Sequence, residues 1–289
     1  MGDNGEKLAA QLEKIILGRV ATGRLVVPPT PTANRCLTLL RDPEFKTRKI
    51  VEQLEGEPLL AARVMWEANT AAFGGVAVRT LDGAVTRIGA QRMKSLMVEH
   101  MADDVFRSSD RKLVEANTKV WEHSVAVAIA ARDIGAFVGN SDPEGCYVAG
   151  LLHDIGKPVI AAILSEVERK SAGKGFIDVA VWHNVVATTH RKVGVAIATE
   201  WKLPAEVTSA IRDCSDYDPG ERNSVSNVVR LANALAKREG YSTGKDSADD
   251  IDAMIMVGTS MLGTDEKLLS RLLTNLRGRF PAGAADVGR

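Results

Sequence analysis

The chain has 289 residues, 45% of them hydrophobic but only 4% aromatic. That is enough for one large domain or two small lobes, with an aliphatic, Ala-rich core that suits packed helices better than a sandwich or barrel. Lys plus Arg and Asp plus Glu both number 37, so there is no overall basic footprint for nucleic acid.

In chain order, residues 5–20 place Leu8, Leu12, Ile15 and Ile16 at helical spacing. Gly23 and the Pro-rich stretch at 26–32 end that helix and predict an extended connection. "PTANRCLTLLRD" puts Leu37 and Leu40 on one helical face. The next pattern, "TRKIVEQLEGEPLLAARVMWEANTAAFGG", breaks at Gly56. Pro58 then suits the first turn of a new helix, which Gly74-Gly75 are expected to stop. A further helical stretch, "TLDGAVTRIGAQRMKSLMVEHMADDVF", carries a break at Gly89.

A second lobe is expected from about residue 110. There Val120, Val127 and Ile134 form one stripe with His123 beside it, and Gly139-Asn140 stop the helix. Ser141 or Asp142 is a candidate N-cap with Pro143 just inside, opening a helix expected to carry His153 and Asp154. "THRKVGVAIATEWKLPAEVTSAIRDC" reads as a helix pair whose second member opens at Pro204. "SVSNVVRLANALAKREG" follows, with Val225, Val228, Val229, Leu231 and Leu235 inside. Two more helices come next, the last with Leu268, Leu269, Leu272, Leu273 and Leu276 at i, i+3, i+4 spacing. Residues 281–289 are expected to fray.

Cys36, Cys146 and Cys214 are isolated and read as free thiols of a reducing compartment. There is no run of 18 apolar residues, and "MGDNGEKLAAQ" lacks the apolar core of a signal peptide. A cytoplasmic protein without a membrane span is the expectation. No phosphate-binding loop, dinucleotide fingerprint, nucleophile elbow or zincin motif occurs.

The stretch "GLLHDIGKPV" sets His153 beside Asp154 within apolar surroundings. Imidazole and carboxylate together suit Fe, Mn, Zn or Mg, and helical-bundle cores are where such ligands converge. The same pair can equally be a hydrogen-bonded device that orients two helices, and on spacing alone that plainer reading carries more weight. Lys157 reads as a solvated Lys at a helix end, or as a phosphate contact. His190 reads, from its neighbours alone, as an exposed or capping residue near a helix start. His100 and His183 read as surface or boundary residues. Asn69 suits a C-cap or turn, and Trp66, Trp121 and Trp201 suit core or lobe interface.

The wider pattern is more specific. "WEHSVAVA", "GLLHDIGK" and "RLANALA" resemble the HD superfamily of metal phosphohydrolases. "DPEFKTRKIVEQLEGEPLLAARVMWEANTAAFGG" with "TLDGAVTRIGAQRMKSLM", and "HRKVGVAIATEWKLPAEVTSAI" with His190, Gly194, Trp201, Leu203 and Pro204, resemble HDOD (HD-related output) domains.

The resemblance implies an all-α, two-lobed helical bundle. Its expected divisions are an N-terminal helix over 1–23 and an HDOD domain over 24–240, with lobes at 24–108 and 109–240. C-terminal helices over 241–280 and the tail 281–289 complete the chain. It implies metal ligands at His123, His153 and Asp154, with His190 at a further ligand position of the related HD-GYP enzymes. Asn233 stands where the pattern wants the final Asp, and Asp213 where the HD-GYP pattern tends to have His.

The implied function is a non-catalytic bacterial signalling or regulatory module. It would act through unidentified signalling proteins rather than nucleic acid or membrane, with self-association left open and a degenerate metal site. The alternatives are a residual metal-dependent phosphohydrolase acting on a nucleotide or cyclic dinucleotide, or a nucleotide- or metal-sensing regulator.

Overall fold

The computed structural model describes residues 3–22, 30–70, 72–108, 110–170, 177–213, 216–244 and 247–279. The connection expected at Gly23 and onward through residue 29, Cys214 and the tail at 281–289 lie outside the described residues. Thirteen helices and no strand are found among the described residues, so the fold is all-α. The chain divides into two compact units, one of residues 27–104 and one of residues 1–26 with 105–289.

The first unit holds α2 (Pro31–Leu39), α3 (Thr47–Leu54), α4 (Pro58–Ala68) and most of α5 (Leu81–Phe106). Proline opens α2 and α4, where its missing N–H would have had no partner in any case. Leu37, Leu40, Ile50, Leu54, Leu60 and Val64 are buried along the inner faces. α4 does not run on to the glycine pair. It stops at Ala68, because the Asn69 side chain clasps the departing chain. Its amide donates to the carbonyls of Met65 (2.9 Å) and Val78 (3.1 Å), and its oxygen accepts from the Val78 N–H at 2.8 Å. Gly89, at φ 74°, breaks α5 at the expected position. Ion pairs knit the polar faces: Arg63 to Glu99 at 2.6 Å, Arg92 to Glu67 at 2.8 Å and His100 to Glu57 at 2.8 Å. Trp66 is 68% exposed rather than core.

The second unit is built around α6 (Arg111–Phe137) and α11 (Val225–Arg238), which pack on each other. α7 (Pro143–Leu152), α8 (Gly156–Lys170) and α13 (Glu266–Arg279) also lie on α6. α9 (Val179–Glu200) contacts α1 (Asp3–Ala21), α8 and α10 (Ala205–Asp213), while α12 (Ala248–Leu262) covers α11. The run Ala126–Ala131 keeps α6 slim, and Gly150 of α7 sits against it. A Cβ at Gly150 would lie 2.9 Å from the Ala128 Cα, so α6 and α7 meet almost backbone to backbone. Asp142 caps α7 by accepting from the Gly145 N–H at 2.9 Å, with Pro143 as its first residue. On α11, Val228, Val229, Leu231 and Leu235 are fully buried, each contributing about 1.5–3 kcal/mol. Trp201 is buried, and Trp121 packs on Phe106 with ring centroids 5.2 Å apart.

One stretch reaches bilayer length and mean hydropathy without being an unbroken apolar run. It is Pro143–Lys170, and 78% of its most apolar window is buried inside the fold. A turn at residues 153–155 divides it, and its apolarity is that of a core helix pair.

Candidate metal centre

The His–Asp doublet does not lie on a helix. α7 ends at Leu152 with His153 as its C-cap, α8 starts at Gly156, and His153, Asp154 and Ile155 form the turn between them. The hundred-degree separation of neighbours on a helix therefore does not apply, and both side chains serve one centre. Gly156 explains why the turn is there. A Cβ at that position would collide with the backbone carbonyl of His190, so α8 can begin only where no side chain keeps it from α9. Pro158 then falls in the first turn of α8, where proline is tolerated.

Three ligand-type atoms converge. His123 Nε2 lies 3.2 Å from His153 Nε2, and the two nitrogens lie 3.6 and 3.4 Å from Asp154 Oδ2. All three residues are buried. Their orientation is fixed from behind. His123 Nδ1 faces the carbonyl of Tyr241 at 2.5 Å, and His153 Nδ1 that of Gly150 at 2.7 Å. A carbonyl oxygen only accepts, so each Nδ1 carries the proton and each Nε2 of a neutral ring presents a lone pair. Two lone pairs 3.2 Å apart do not bond to each other; they call for a cation between or beside them. Metal-binding histidines are held in this same manner, with the distal N–H tied to a carbonyl or carboxylate.

The rings are neutral near pH 7. Burial, then the neighbouring His153, pushes the His123 imidazolium down to about 3. Burial likewise lowers His153 and His190. Burial alone would raise Asp154, but the cations around it prevail and hold its carboxyl well below the ordinary value. Attraction to His153 comes first among these, then attraction to Lys157. Its Nζ sits 2.5 Å from Asp154 Oδ2 and donates to Thr243 Oγ1 at 2.9 Å.

Of the remaining sequence candidates, His190 joins the cluster's edge. It lies in the middle of α9, not near a helix start, because α9 begins at Val179 with Asp178 as its N-cap. Its Nδ1–H donates to the Val186 carbonyl at 2.9 Å, and its Nε2 lies 3.6 Å from Asp154 Oδ1. The Asp178 cap and the buried Val181, Val185 and Thr189 ahead of it were the signals that could have placed it. Asn233 lies on α11, and its Oδ1 is buried with no hydrogen-bond partner among the described residues. Lys237, one turn further along the same face, adds its charge to the field at His153. Asp213, exposed at the end of α10, pairs with Arg212 at 3.7 Å. His100 belongs to the other unit, paired with Glu57, and His183 is exposed. Lys157 is not a solvated lysine. The clue was its i, i+3 spacing from Asp154.

The donor set, two imidazole nitrogens with one carboxylate, fits a borderline divalent ion such as Fe, Mn or Zn better than Mg, which favours all-oxygen ligands.

The model of the HDOD domain family matches residues 27–217. Solved structures share the fold. A Shewanella amazonensis SB2B protein, named provisionally as a metal-dependent phosphohydrolase, superposes with a TM-score of 0.71 at 21% identity, covering 93% of this chain and 99% of that one. An HDOD domain protein of unknown function from Geobacter sulfurreducens gives 0.63 at 19% identity, covering 92% and 99%. A Marinobacter aquaeolei VT8 protein, named provisionally as a signal transduction protein, gives 0.58 at 23%, covering 88% of this chain and 57% of that one. An uncharacterized Treponema pallidum (strain Nichols) protein is 24% identical over 203 residues, which are 67% of this chain and 39% of that protein. The chain thus spans about two fifths of the length of that curated relative. With the family match extending over more than half its length, the chain belongs to the HDOD domain family.

Proposed function

We propose that the chain is a signalling-associated module that acts by binding a partner protein, with its His–Asp centre holding one divalent ion as a structural or regulatory element rather than turning over a substrate. The observation that carries this reading is the pair of imidazole Nε2 lone pairs 3.2 Å apart, each ring locked in its metal-ready tautomer by a backbone carbonyl. His123, His153 and Asp154 would hold the ion, with His190 beside them. When bound, such an ion would clamp α6, the α7–α8 turn and α9 together as a Lewis acid. Two features favour regulation over hydrolysis. Asn233 leaves one carboxylate where the family pattern has two, and Lys157 covers Asp154 in a centre whose ligands are buried.

The test is elemental mass spectrometry on untagged protein purified without chelators, with phosphate-release assays on nucleotides and cyclic dinucleotides. Near-stoichiometric metal in wild type, its loss in His153→Ala, and no phosphate release are expected. Asn233→Asp should bind the metal roughly tenfold more tightly, about 1.4 kcal/mol, by adding a second carboxylate. Well-folded wild type without metal would make the doublet a structural pin, and phosphate release by wild type would make the chain a hydrolase.

A further inference from the structure

Beside the centre, on the far side of Lys157, lies a cavity of about 530 Å³ between α6, α8 and α9. Its walls are largely aliphatic, with Val120 of α6, Ala161 of α8 and Val186 of α9 among them. Into this space faces Asn117, a residue only 4% exposed. No hydrogen bond to its carboxamide is seen among the described residues, and the group opens onto the cavity that it lines. A largely buried amide of this kind is ordinarily satisfied by protein, water or ligand, and here the partner can come from the cavity side. It is also the kind of sparse polar group that fixes orientation in an otherwise apolar small-molecule site.

We propose that this cavity is a binding site for a small uncharged organic molecule with a ring-sized apolar body and an amide-like edge that pairs with Asn117. The carboxamide offers a donor and an acceptor side by side, and a ligand edge carrying both an N–H and a C=O satisfies both at once. A charged ligand is disfavoured because two charged side chains of the lining are already engaged. Lys157 is bound to Asp154 and Thr243, and Glu168 accepts from the Trp182 indole N–H at 3.2 Å and the Ile177 N–H at 3.0 Å. The volume lies in the range that holds a drug-sized molecule, so a one- or two-ring probe samples part of it. The site stands or falls independently of whether the neighbouring centre holds a metal.

Two probes carry the required edge: nicotinamide as an exocyclic carboxamide and hypoxanthine as a ring lactam. Each is titrated at millimolar concentration into the full chain while the Asn117 side-chain amide and Trp182 indole NMR signals are followed. At least one probe should shift both signals saturably, and which one does identifies the edge as carboxamide or nucleobase-like. Binding should weaken tenfold or more in Asn117→Leu, which removes the amide, and in Ala161→Leu, which fills the cavity from the opposite wall. If Asn117→Leu fails to fold, Ala161→Leu decides. Saturable binding by neither probe, or binding unchanged in the folded variants, overturns the proposal.

Discussion

The two compact units put their polar side chains to different uses. In residues 27–104, Glu57, Glu67 and Glu99 each meet a cationic or imidazole partner at 2.6–2.8 Å, and Asn69 uses both ends of its amide to tie the chain after α4. Most of its charged groups pair with one another, although Thr30 Oγ1 and Glu99 Oε2 are buried without a hydrogen bond among the described residues. In the unit that contains α6 to α11, two imidazole nitrogens face each other without a proton to share, and the Asn233 amide oxygen lies buried with no hydrogen-bond partner among the described residues. Leaving buried polar atoms unsatisfied costs roughly 1–3 kcal/mol each. Such atoms occur in both units, but among the described residues the cluster of imidazole nitrogens and a carboxylate lies in the second, beside an arrangement that a cation would complete.

That contrast can be broken by perturbing each unit in turn. The largest effect is expected at Gly156, where a methyl group must displace the backbone of α9. Gly156→Ala should lower the unfolding free energy by about 3 kcal/mol in urea denaturation and reduce metal content together with it. Acid comes next. In chelator-stripped protein, His123 is neutral when folded, with its pKa lowered to about 3, but takes up a proton below about 6.5 when unfolded. The unfolded chain then binds more protons, so stability is unaffected well above pH 6.5 and falls as the pH drops below it. His123 alone should remove about 2 kcal/mol between about pH 7 and pH 5, measurable by denaturation at each pH. A curve flat across that range would mean the ring is already protonated in the fold. The smallest effect belongs to residues 27–104, away from the His–Asp centre. Asn69→Ala should cost about 1 kcal/mol, since its bonds are exposed, and leave metal content unchanged. Metal loss in that variant would erase the distinction between the units.

Much of the helix punctuation is legible in the sequence, because it is local chemistry. Pro58 and Pro143 open helices, Asp142 caps one, Gly89 breaks one and Pro204 immediately precedes one. The chemistry of His123, His153 and Asp154 is legible as residue types and as a family pattern. What escapes such reading are relations between segments distant in sequence. Nothing in "HDIGK" says that Gly156 touches the carbonyl of His190, or that Lys157 turns inward to Asp154 and Thr243. Asn117 looks like an ordinary helix-surface residue because the cavity that it lines is completed by α8 and α9. The Gly74-Gly75 stop is misplaced for a related reason. A side chain clasping residue 78 ends α4 before the glycines are reached.

The contact between Gly156 and His190 also has a mechanical side. Where two helices meet through side chains, a small shift is absorbed by rotamers, and little of it is transmitted. At this crossing no side chain stands between α8 and the backbone of α9, so the joint has no play. α9 carries His190 and also packs on α1 and α10, while the turn leading into α8 carries Asp154. A force that slides α9 by a fraction of an ångström must therefore move the α8 start with it or open the gap between the His190 and Asp154 side chains. The glycine makes the centre a rigid gauge of where α9 lies.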